Sequence, residues 1–509
     1  MNRVYKKDCE SYCEYTLPDY LGDVKKILTV SANAIPSGKF VGDSEVEYSG
    51  IVNYEILYSD ADGKLARLVC SSDYDLAVAT DAATYVDSLA EPQVASVSTR
   101  LTGPRKLIAK AVVSNTVTVS TENEAETVGT AFLEGKEPEV AKASIRYAAV
   151  SLLSSAEREY AEEAERIAAT SPDDIEIIAT SGAVRITESN PVDNGVNVKG
   201  EIIITSIIRT NEQPPFAIKK SIPFDETVTF EAAESDMQTL FDGYLTSVTA
   251  GLAEDGEDTV VTVNAIAELV GMAAKNRECE VITDAYIKDR KTEGHYEDYS
   301  YSELVTMGSA EETVSVKIPR AEVGCEYIRN ILTLSADVRL LDKKITDSGV
   351  ELSGELGLYG TACEIGENNE EGYVPVKFTA PFSVSLKEAL GNSADMELFA
   401  RASAVDVESM LDAESLSVNC SLKVGYRVTK NRTLRRMTEC NDVGDEDCAS
   451  EGAVITVYYP DEGESLFEIA KKFHTTGAKI ASDNKLDAPT VNSVDSPNLL
   501  AGVKKLIIR

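Results

Sequence analysis

The chain is poor in the residues from which most catalytic and metal sites are built. Among 509 residues there are two histidines, His295 and His474, and no tryptophan. His-based triads, His-ligated zinc and HExxH chemistry therefore have almost no material to work with. Nine cysteines, at positions 9, 13, 70, 279, 325, 363, 420, 440 and 448, form an odd and scattered set rather than a disulfide framework. The close pairs Cys9-x3-Cys13 and Cys440-x7-Cys448 lack CxxC spacing, so reduced thiols and no metal are expected. Basic residues are outnumbered, 49 against 86 acidic ones, and the net charge of -37 makes nucleic acid and anionic lipid poor partners. No run approaches the roughly 18 apolar residues of a membrane span, so no membrane insertion is expected. The stretch from Met1 to Glu10 continues without a secretory apolar core, which points to a cytosol. Neither a Gly-x4-Gly-Lys-Ser/Thr loop nor a Gly-x-Gly-x-x-Gly loop after a strand occurs, so no nucleotide cofactor is expected. Chance carboxylate pairs in so acidic a chain are not read as glycosidase machinery, and the expectation is a protein that is not an enzyme.

What the chain has is length, ordinary apolar content and repetition. A length of 509 residues implies about three to five domains, and 43% apolar with 27% charged residues is enough to build cores. Lys26-Ile27-Leu28-Thr29-Val30-Ser31-Ala32 returns as Asn330-Ile331-Leu332-Thr333-Leu334-Ser335-Ala336, with a degenerate copy at Glu176 to Gly182. About 22 residues into each copy comes a Val-x-x-x-Gly step, Val46 to Gly50, Val196 to Gly200 and Val350 to Gly354. Cys13-Glu14-Tyr15 also returns, as Cys325-Glu326-Tyr327. Val52 to Tyr58, an Asp60-Ala61-Asp62-Gly63 turn and Leu65 to Val69 read as a hairpin. A calcium loop there is disfavoured, because its distal ligand position falls on Val69. At the same tip the second copy has Asn211 to Pro215 and the third an acidic loop from Glu367 to Gly372. Later strands are expected at Val112 to Ser120, Val260 to Ile266 and Leu416 to Tyr426.

The expected fold is mainly β: three repeated β-sandwich modules with helical connectors and a small C-terminal βααβ domain. Its boundaries are a lead-in at 1–26, modules at 27–122, 173–290 and 327–428, and a tail domain at 453–509. Between them lie a helical connector at 123–172, a polar tyrosine-rich linker at 291–326 and a charged linker at 429–452. The connector is read as a helix because Ile145, Ala149, Leu152, Ala156, Tyr160, Ala164 and Ile167 fall on one stripe that Ser171-Pro172 ends. Packing on a neighbouring sandwich is preferred for it over binding a partner. The tyrosines from Tyr296 to Tyr301 read as a mobile link and a contact surface.

The tail resembles a LysM domain. Ile455 to Tyr459 is its first strand, and Glu462-Gly463-Glu464-Ser465-Leu466 leads into a helix ending at Phe473. Ser465 with Glu468 makes a capping box. Ile480 to Asn484 with Leu486 resembles the second helix, and Leu499 to Ile508 the closing strand. The resemblance implies a groove for N-acetylglucosamine polymers, with Asp461, Gly463, Glu464, Ser465, Leu466, Asn484, Lys485 and Leu486 as ligand-binding positions. The second wall departs from the family: Asp487 to Asn498 is long, and Gly502-Val503-Lys504-Lys505-Leu506 carries an additional residue. A protein partner on this groove is therefore expected beside the glycan.

Leu17-Pro18-Asp19-Tyr20-Leu21-Gly22-Asp23-Val24-Lys25-Lys26-Ile27-Leu28 resembles the opening of the SPOCS domain of clostridial spore-coat morphogenetic proteins of the SipL kind. Those proteins join repeated SPOCS modules to a C-terminal LysM domain. The resemblance implies a non-enzymatic adaptor of spore-coat assembly in the mother-cell cytoplasm, at the forespore surface. It would dock to a SpoIVA-type coat ATPase or other coat proteins through its LysM-like domain. The alternative is a protein that binds peptidoglycan, an N-acetylglucosamine-containing glycan, in the cell wall or spore cortex.

Overall fold

Side chains that alternate between core and solvent at every second residue draw most of this chain into long strands. The computed structural model describes residues 2–81, 84–121, 138–168, 170–288, 290–323, 327–365, 371–388, 390, 395–445, 455–461, 463–486, 500 and 503–509. The chain forms two compact units. The first comprises Met1–Glu122, Val150–Lys275 and Leu304–Thr429, and the second Asn123–Ala149, Asn276–Glu303 and Lys430–Arg509.

The first six strands are β1 (Asn2–Thr16), β2 (Val24–Val41), β3 (Glu45–Asp60), β4 (Leu65–Ala79), β5 (Tyr85–Gly103) and β6 (Lys106–Thr121). They form one sheet in the order β2-β3-β4 and another in the order β1-β6-β5. Next come β7 (Pro138–Ile167), β8 (Ile175–Val192), β9 (Gly195–Thr210), β10 (Phe216–Thr229), β11 (Gln238–Asp255) and β12 (Asp258–Ile287). Their sheets are β8-β9-β10 and β7-β12-β11. The last set is β13 (Arg290–Pro319), β14 (Ile328–Thr346), β15 (Gly349–Ile365), β16 (Glu371–Lys387), β17 (Met396–Leu411) and β18 (Ser415–Asp445). It gives β14-β15-β16 and β13-β18-β17, so strand order is the same in all three sandwiches. Each has its own core, around Tyr54, Val52 and Val113 in the first, Ile202, Phe241 and Leu269 in the second, and Leu352, Leu422 and Val424 in the third.

Four expectations for the segments outside the modules are corrected. The connector expected to be helical is strand β7 over Pro138–Ile167, and 123–137 lies outside the described residues. Its apolar positions misled because Ala156, Tyr160 and Ala164 are four apart, a spacing that satisfies a strand's period of two as well as a helical stripe. All three pack on the second core. The polar link at 291–326 is largely strand β13, and the charged linker continues β18 to Asp445. The lead-in at 1–26 supplies β1, which pairs along β6 from Asn2 to Thr16 and is part of the first sandwich. Cys325 and Glu326 of the repeated lead-in, the acidic tip at 367–370 and Cys448 lie outside the described residues. At the Asp60 turn the carboxylate accepts from the N–H groups of Asp62 (3.0 Å) and Lys64 (2.8 Å), and Gly63 has φ +83°, so these residues make a turn.

The repeated sequence steps have structural reasons. Gly50, Gly200 and Gly354 stand opposite Tyr74, Phe224 and Phe382 on the neighbouring strand. A Cβ on Gly200 would lie 2.7 Å from the Phe224 ring and 2.1 Å from the Arg185 carbonyl oxygen, and one on Gly354 would meet Phe382 and Arg339 in the same way. The aromatic ring thus lies over a backbone that has no side chain in its path. The Ile-Leu-Thr step is a β-bulge: the register skips one residue between Ile27 and Thr29, between Ile177 and Ala179, and between Ile331 and Thr333.

The skipped residues, Leu28, Ile178 and Leu332, are all buried and meet in one cluster with Leu57, Leu65, Ala179, Ile207, Cys363 and Tyr373. The three sandwiches therefore join at the bulges. Around that cluster β4 packs on β8, β10 on β14 and β16 on β2, so each sandwich touches both others. A second junction is polar. Glu91, Asp242 and Arg401 hold corresponding positions on β5, β11 and β17, two residues after Leu89, Leu240 and Phe399, which line one small cavity. The Arg401 guanidinium pairs with Glu91 and lies 3.2 Å from Asp242, while the buried Lys423 ammonium lies 3.4 Å from Asp242 and donates to the Phe241 carbonyl at 2.5 Å. Burial lowers the pKa of both bases, and for Arg401 it does so to about 10.

In the second unit, parts of the former linkers associate with one another. Ile282, Ala285 and Ile287 of β12 pack with Met437 and Cys440 of β18, flanked by Val140 and Tyr296. Thr283 Oγ1 donates to the Ala141 carbonyl (3.2 Å), and Thr438 Oγ1 to that of His295 (3.3 Å). The C-terminal domain follows as β19 (Thr456–Tyr458), α1 (Leu466–Lys472), α2 (Gly477–Asn484) and β20 (Leu506–Ile508), with β19 antiparallel to β20.

Candidate functional site

The eight positions singled out in the tail divide into those that build the domain and those that face outward. Ser465 caps α1: its Oγ accepts from the Glu468 N–H (3.2 Å), and the Glu468 carboxylate accepts from the Ser465 N–H (2.8 Å). Leu466 is buried with Phe467, Ile469, Ala470, Ile480, Ala481, Leu506 and Ile508, and Leu486 packs against the same cluster. Asn484 joins helix to sheet. Its Nδ2 donates to the carbonyls of Ile480 (2.8 Å) and Ile507 (2.7 Å), and its Oδ1 accepts from the Ile507 N–H (2.7 Å). These four residues hold the fold. Glu464 does so in part, because its carboxylate accepts from the Tyr458 hydroxyl at 2.8 Å and from the Asp461 N–H at 3.1 Å.

Asp461, Gly463 and Lys485 remain exposed. Gly463 turns the loop at φ +89° with open space around its Cα, and Lys485 ends α2 at φ +54°. The acids Asp461 and Glu464 thus lie on either side of Gly463, with the base Lys485 on the α2 end. Behind Glu464, the Lys472 ammonium donates to the Tyr458 hydroxyl (3.1 Å) and lies 4.8 Å from its ring centroid. That hydrogen bond raises the Lys472 pKa. The segment 487–498 and Gly502, expected to form the second wall, lie outside the described residues.

The residues that anchor the domain within its unit were missed by sequence reasoning. Tyr286, on β12, is buried against Phe467 with ring centroids 5.1 Å apart in an edge-on arrangement, and its hydroxyl donates to the Thr475 carbonyl at 2.8 Å. Burial pushes its pKa up, helped by the charges of Glu139 and Asp284. The Asp284 carboxylate receives both the Lys471 ammonium (2.7 Å) and the Tyr296 hydroxyl (2.7 Å). Arg435 lies over the Tyr296 ring at 4.6 Å and Arg436 over Tyr299 at 5.1 Å. Burying an aromatic ring such as Tyr286 is worth about 3 kcal/mol, more than the half-exposed ion pairs around it. The one signal for this anchor was the tyrosine-rich stretch read as a contact surface. Tyr286 itself stood in an unremarked alternating run.

The arrangement offers shape, a few charges and hydrogen-bonding groups for holding a partner. Among the described residues no group of His, Cys, Asp and Glu could hold a metal ion. His295 is on β13, 4.0 Å from the Glu439 carboxylate, and His474 follows α1 at φ +52°, so the two histidines serve different elements. No helix among the described residues is long and apolar enough to cross a membrane.

Comparison with known families matches residues 174–253 to the SPOCS domain of SipL and residues 461–502 to the LysM domain. No curated protein and no solved structure matches the chain. The SPOCS match covers β8, β9, β10 and most of β11, and the LysM match begins at Asp461 and takes in α1 and α2.

Proposed function

With a SipL-type SPOCS domain and a C-terminal LysM domain in one chain as the premise, we propose that this protein is a non-enzymatic adaptor of spore-envelope assembly. It works in the mother-cell cytoplasm at the forespore surface, and its LysM domain docks on a SpoIVA-type coat ATPase or another coat protein. The observation that carries this reading is the coexistence of the two domains, both of which are binding modules. Charge is in keeping with it: a chain at -37 is a poor match for nucleic acid or an anionic surface. The second reading, binding of an N-acetylglucosamine glycan, is favoured by the LysM match and by the short turn at Asp461 to Leu466.

One experiment separates them. Asp461→Lys and Lys485→Glu in the full chain alter exposed positions and shift stability by less than about 0.5 kcal/mol. Glu464→Lys is unsuitable, since it breaks the hydrogen bonds to Tyr458 and Asp461. The expected result is weaker capture of the coat ATPase, through a slower and more salt-sensitive association, with chitin oligosaccharide binding absent in both wild type and variants. Normal ATPase capture together with lost oligosaccharide binding establishes the glycan reading instead.

A further inference from the structure

Two cysteines of the first sandwich face each other across the seam where its two sheets meet. β1 is the outer strand of one sheet and β4 the outer strand of the other. Their closeness is fixed by side chains: the Ser11 and Ser72 hydroxyl oxygens are 2.5 Å apart, Ser11 Oγ lies 3.2 Å from the Asp73 carbonyl, and Lys7 Nζ donates to the Ala77 carbonyl at 2.7 Å. Contacts that pair Lys7 with Ala77 and Ser11 with Ser72 run antiparallel. Two residues further along each strand, on the same face, Cys13 therefore comes opposite Cys70. Both are buried, at 8% and 6% exposure, and both belong to the first core. Burial, followed by a hydrogen bond with the Cys13 thiol, pushes the Cys70 pKa up to about 12. Cys9, four residues before Cys13, is engaged elsewhere: its Sγ lies 3.7 Å from the Val113 carbonyl and accepts from Asn115 at 3.4 Å.

We propose that Cys13 and Cys70 are a disulfide-forming pair that staples this seam when the chain meets a low-molecular-weight disulfide. One cysteine thiolate attacks the small disulfide and releases a small thiolate. The second cysteine thiolate then attacks the mixed disulfide and releases another. One S–S bond forms in the protein while one is lost from the oxidant. The two thiol protons go to solvent or to the released thiolates, and the two electrons reduce the small disulfide to two thiols. Because Cys70 is held as a thiol inside the core, the exchange proceeds when β1 lifts from β4. The product ties the first strand of the chain to the opposite sheet by a closed loop from 13 to 70, a constraint that lowers the entropy of the unfolded chain.

The test uses the full chain, reduced and then incubated with oxidised glutathione, followed by trypsin digestion without reductant and mass spectrometry. The expected product joins Asp8–Lys25 to Leu68–Arg100, and fragmentation between Cys9 and Cys13 places the bond on Cys13. The link persists in Cys9→Ala and is lost in Cys13→Ala. The oxidised chain melts several degrees higher, and dithiothreitol reverses the shift. The proposal is overturned if the two fragments stay separate or carry only glutathione, or if the link survives Cys13→Ala. Should Cys13→Ala fail to fold, Cys9→Ala and the fragment spectrum decide the matter: loss of the link in Cys9→Ala overturns it.

Discussion

Removing one of the three bulged side chains tests whether the sandwiches of the first unit are thermodynamically one body. Leu332→Ala leaves a void where Leu332, at 2% exposure, meets Leu28, Ile178, Leu57, Ile207 and Cys363. A buried leucine truncated to alanine costs about 2–5 kcal/mol, the upper part applying where neighbours cannot collapse into the space. Here the walls come from β2, β3, β8, β9 and β15, each held by its own sheet, so about 3 kcal/mol or more is expected. Leu28→Ala should cost a comparable amount. Because the two side chains share one cluster, the double variant should depart from additivity by about 0.5–3 kcal/mol, the second truncation enlarging a void already present. The assay is guanidinium unfolding followed by tyrosine fluorescence and circular dichroism, with hydrogen exchange read separately on peptides from each sandwich. With 22 tyrosines and no tryptophan, the fluorescence reports on all three at once. The reasoning predicts that Leu332→Ala weakens protection in β2 and β8 as well as in β14. If exchange quickens only in the third sandwich and the double variant is additive, the bulge cluster is a local contact and the modules are independent.

Two further expectations follow from the geometry. Gly200→Ala should destabilise by about 1–3 kcal/mol, because the new Cβ meets the Arg185 carbonyl at 2.1 Å and the Phe224 ring at 2.7 Å, whereas Gly251→Ala, with only the Thr262 hydroxyl at 3.3 Å, should be neutral or mildly stabilising; equal melting temperatures for the two variants would refute this. Asp412 is held below the ordinary carboxylate range by the N–H groups of Glu414 (2.8 Å) and Ser415 (2.7 Å) and by the Ser415 hydroxyl (3.0 Å). A depressed folded pKa gives stability that is present above the unfolded value of about 3.9 and is lost as pH falls through the folded value. The advantage of wild type over Asp412→Asn should therefore shrink below about pH 4, and a gap that stays constant from neutral to strongly acid pH in paired denaturation curves would contradict the assignment.

Strands, hairpins and the terminal domain were legible because their signals are local. Ser465 with Glu468 is a cap whatever surrounds it, and Gly63 after Asp62 turns the chain in any sandwich. The bulges at Leu28, Ile178 and Leu332 were visible as a repeated phrase, but what they contact depends on a meeting of three distant segments that no spacing encodes. The segment around Tyr160 failed for a related reason: a stripe with period four fits strand and helix alike, and only the presence of β12 as a partner settles which forms. Polar runs such as Arg290 to Tyr301 read as linkers because each has few apolar residues of its own, and they become ordered by pairing and stacking with one another through Tyr296, Arg435 and Asp284. At the candidate site the family resemblance singled out eight residues, and half of them build the domain. The short Asn-x-Leu step serves the helix-to-sheet joint first.

The mixed charges of Glu91, Asp242 and Arg401 have a consequence for how such an assembly can arise. Three copies of one sandwich, associating head to tail into a closed trimer, would place the same residue three times on the symmetry axis. Three acids there would repel, and three guanidiniums would do the same. Covalent fusion into one chain lifts that restriction, since each corresponding position can then carry its own residue. Two acids can flank one base, and Lys423 can add a second cation without being repeated. The broken symmetry also makes the third sandwich distinct: replacing it by a copy of the first or second would put a third acid where Arg401 now meets Glu91 and Asp242.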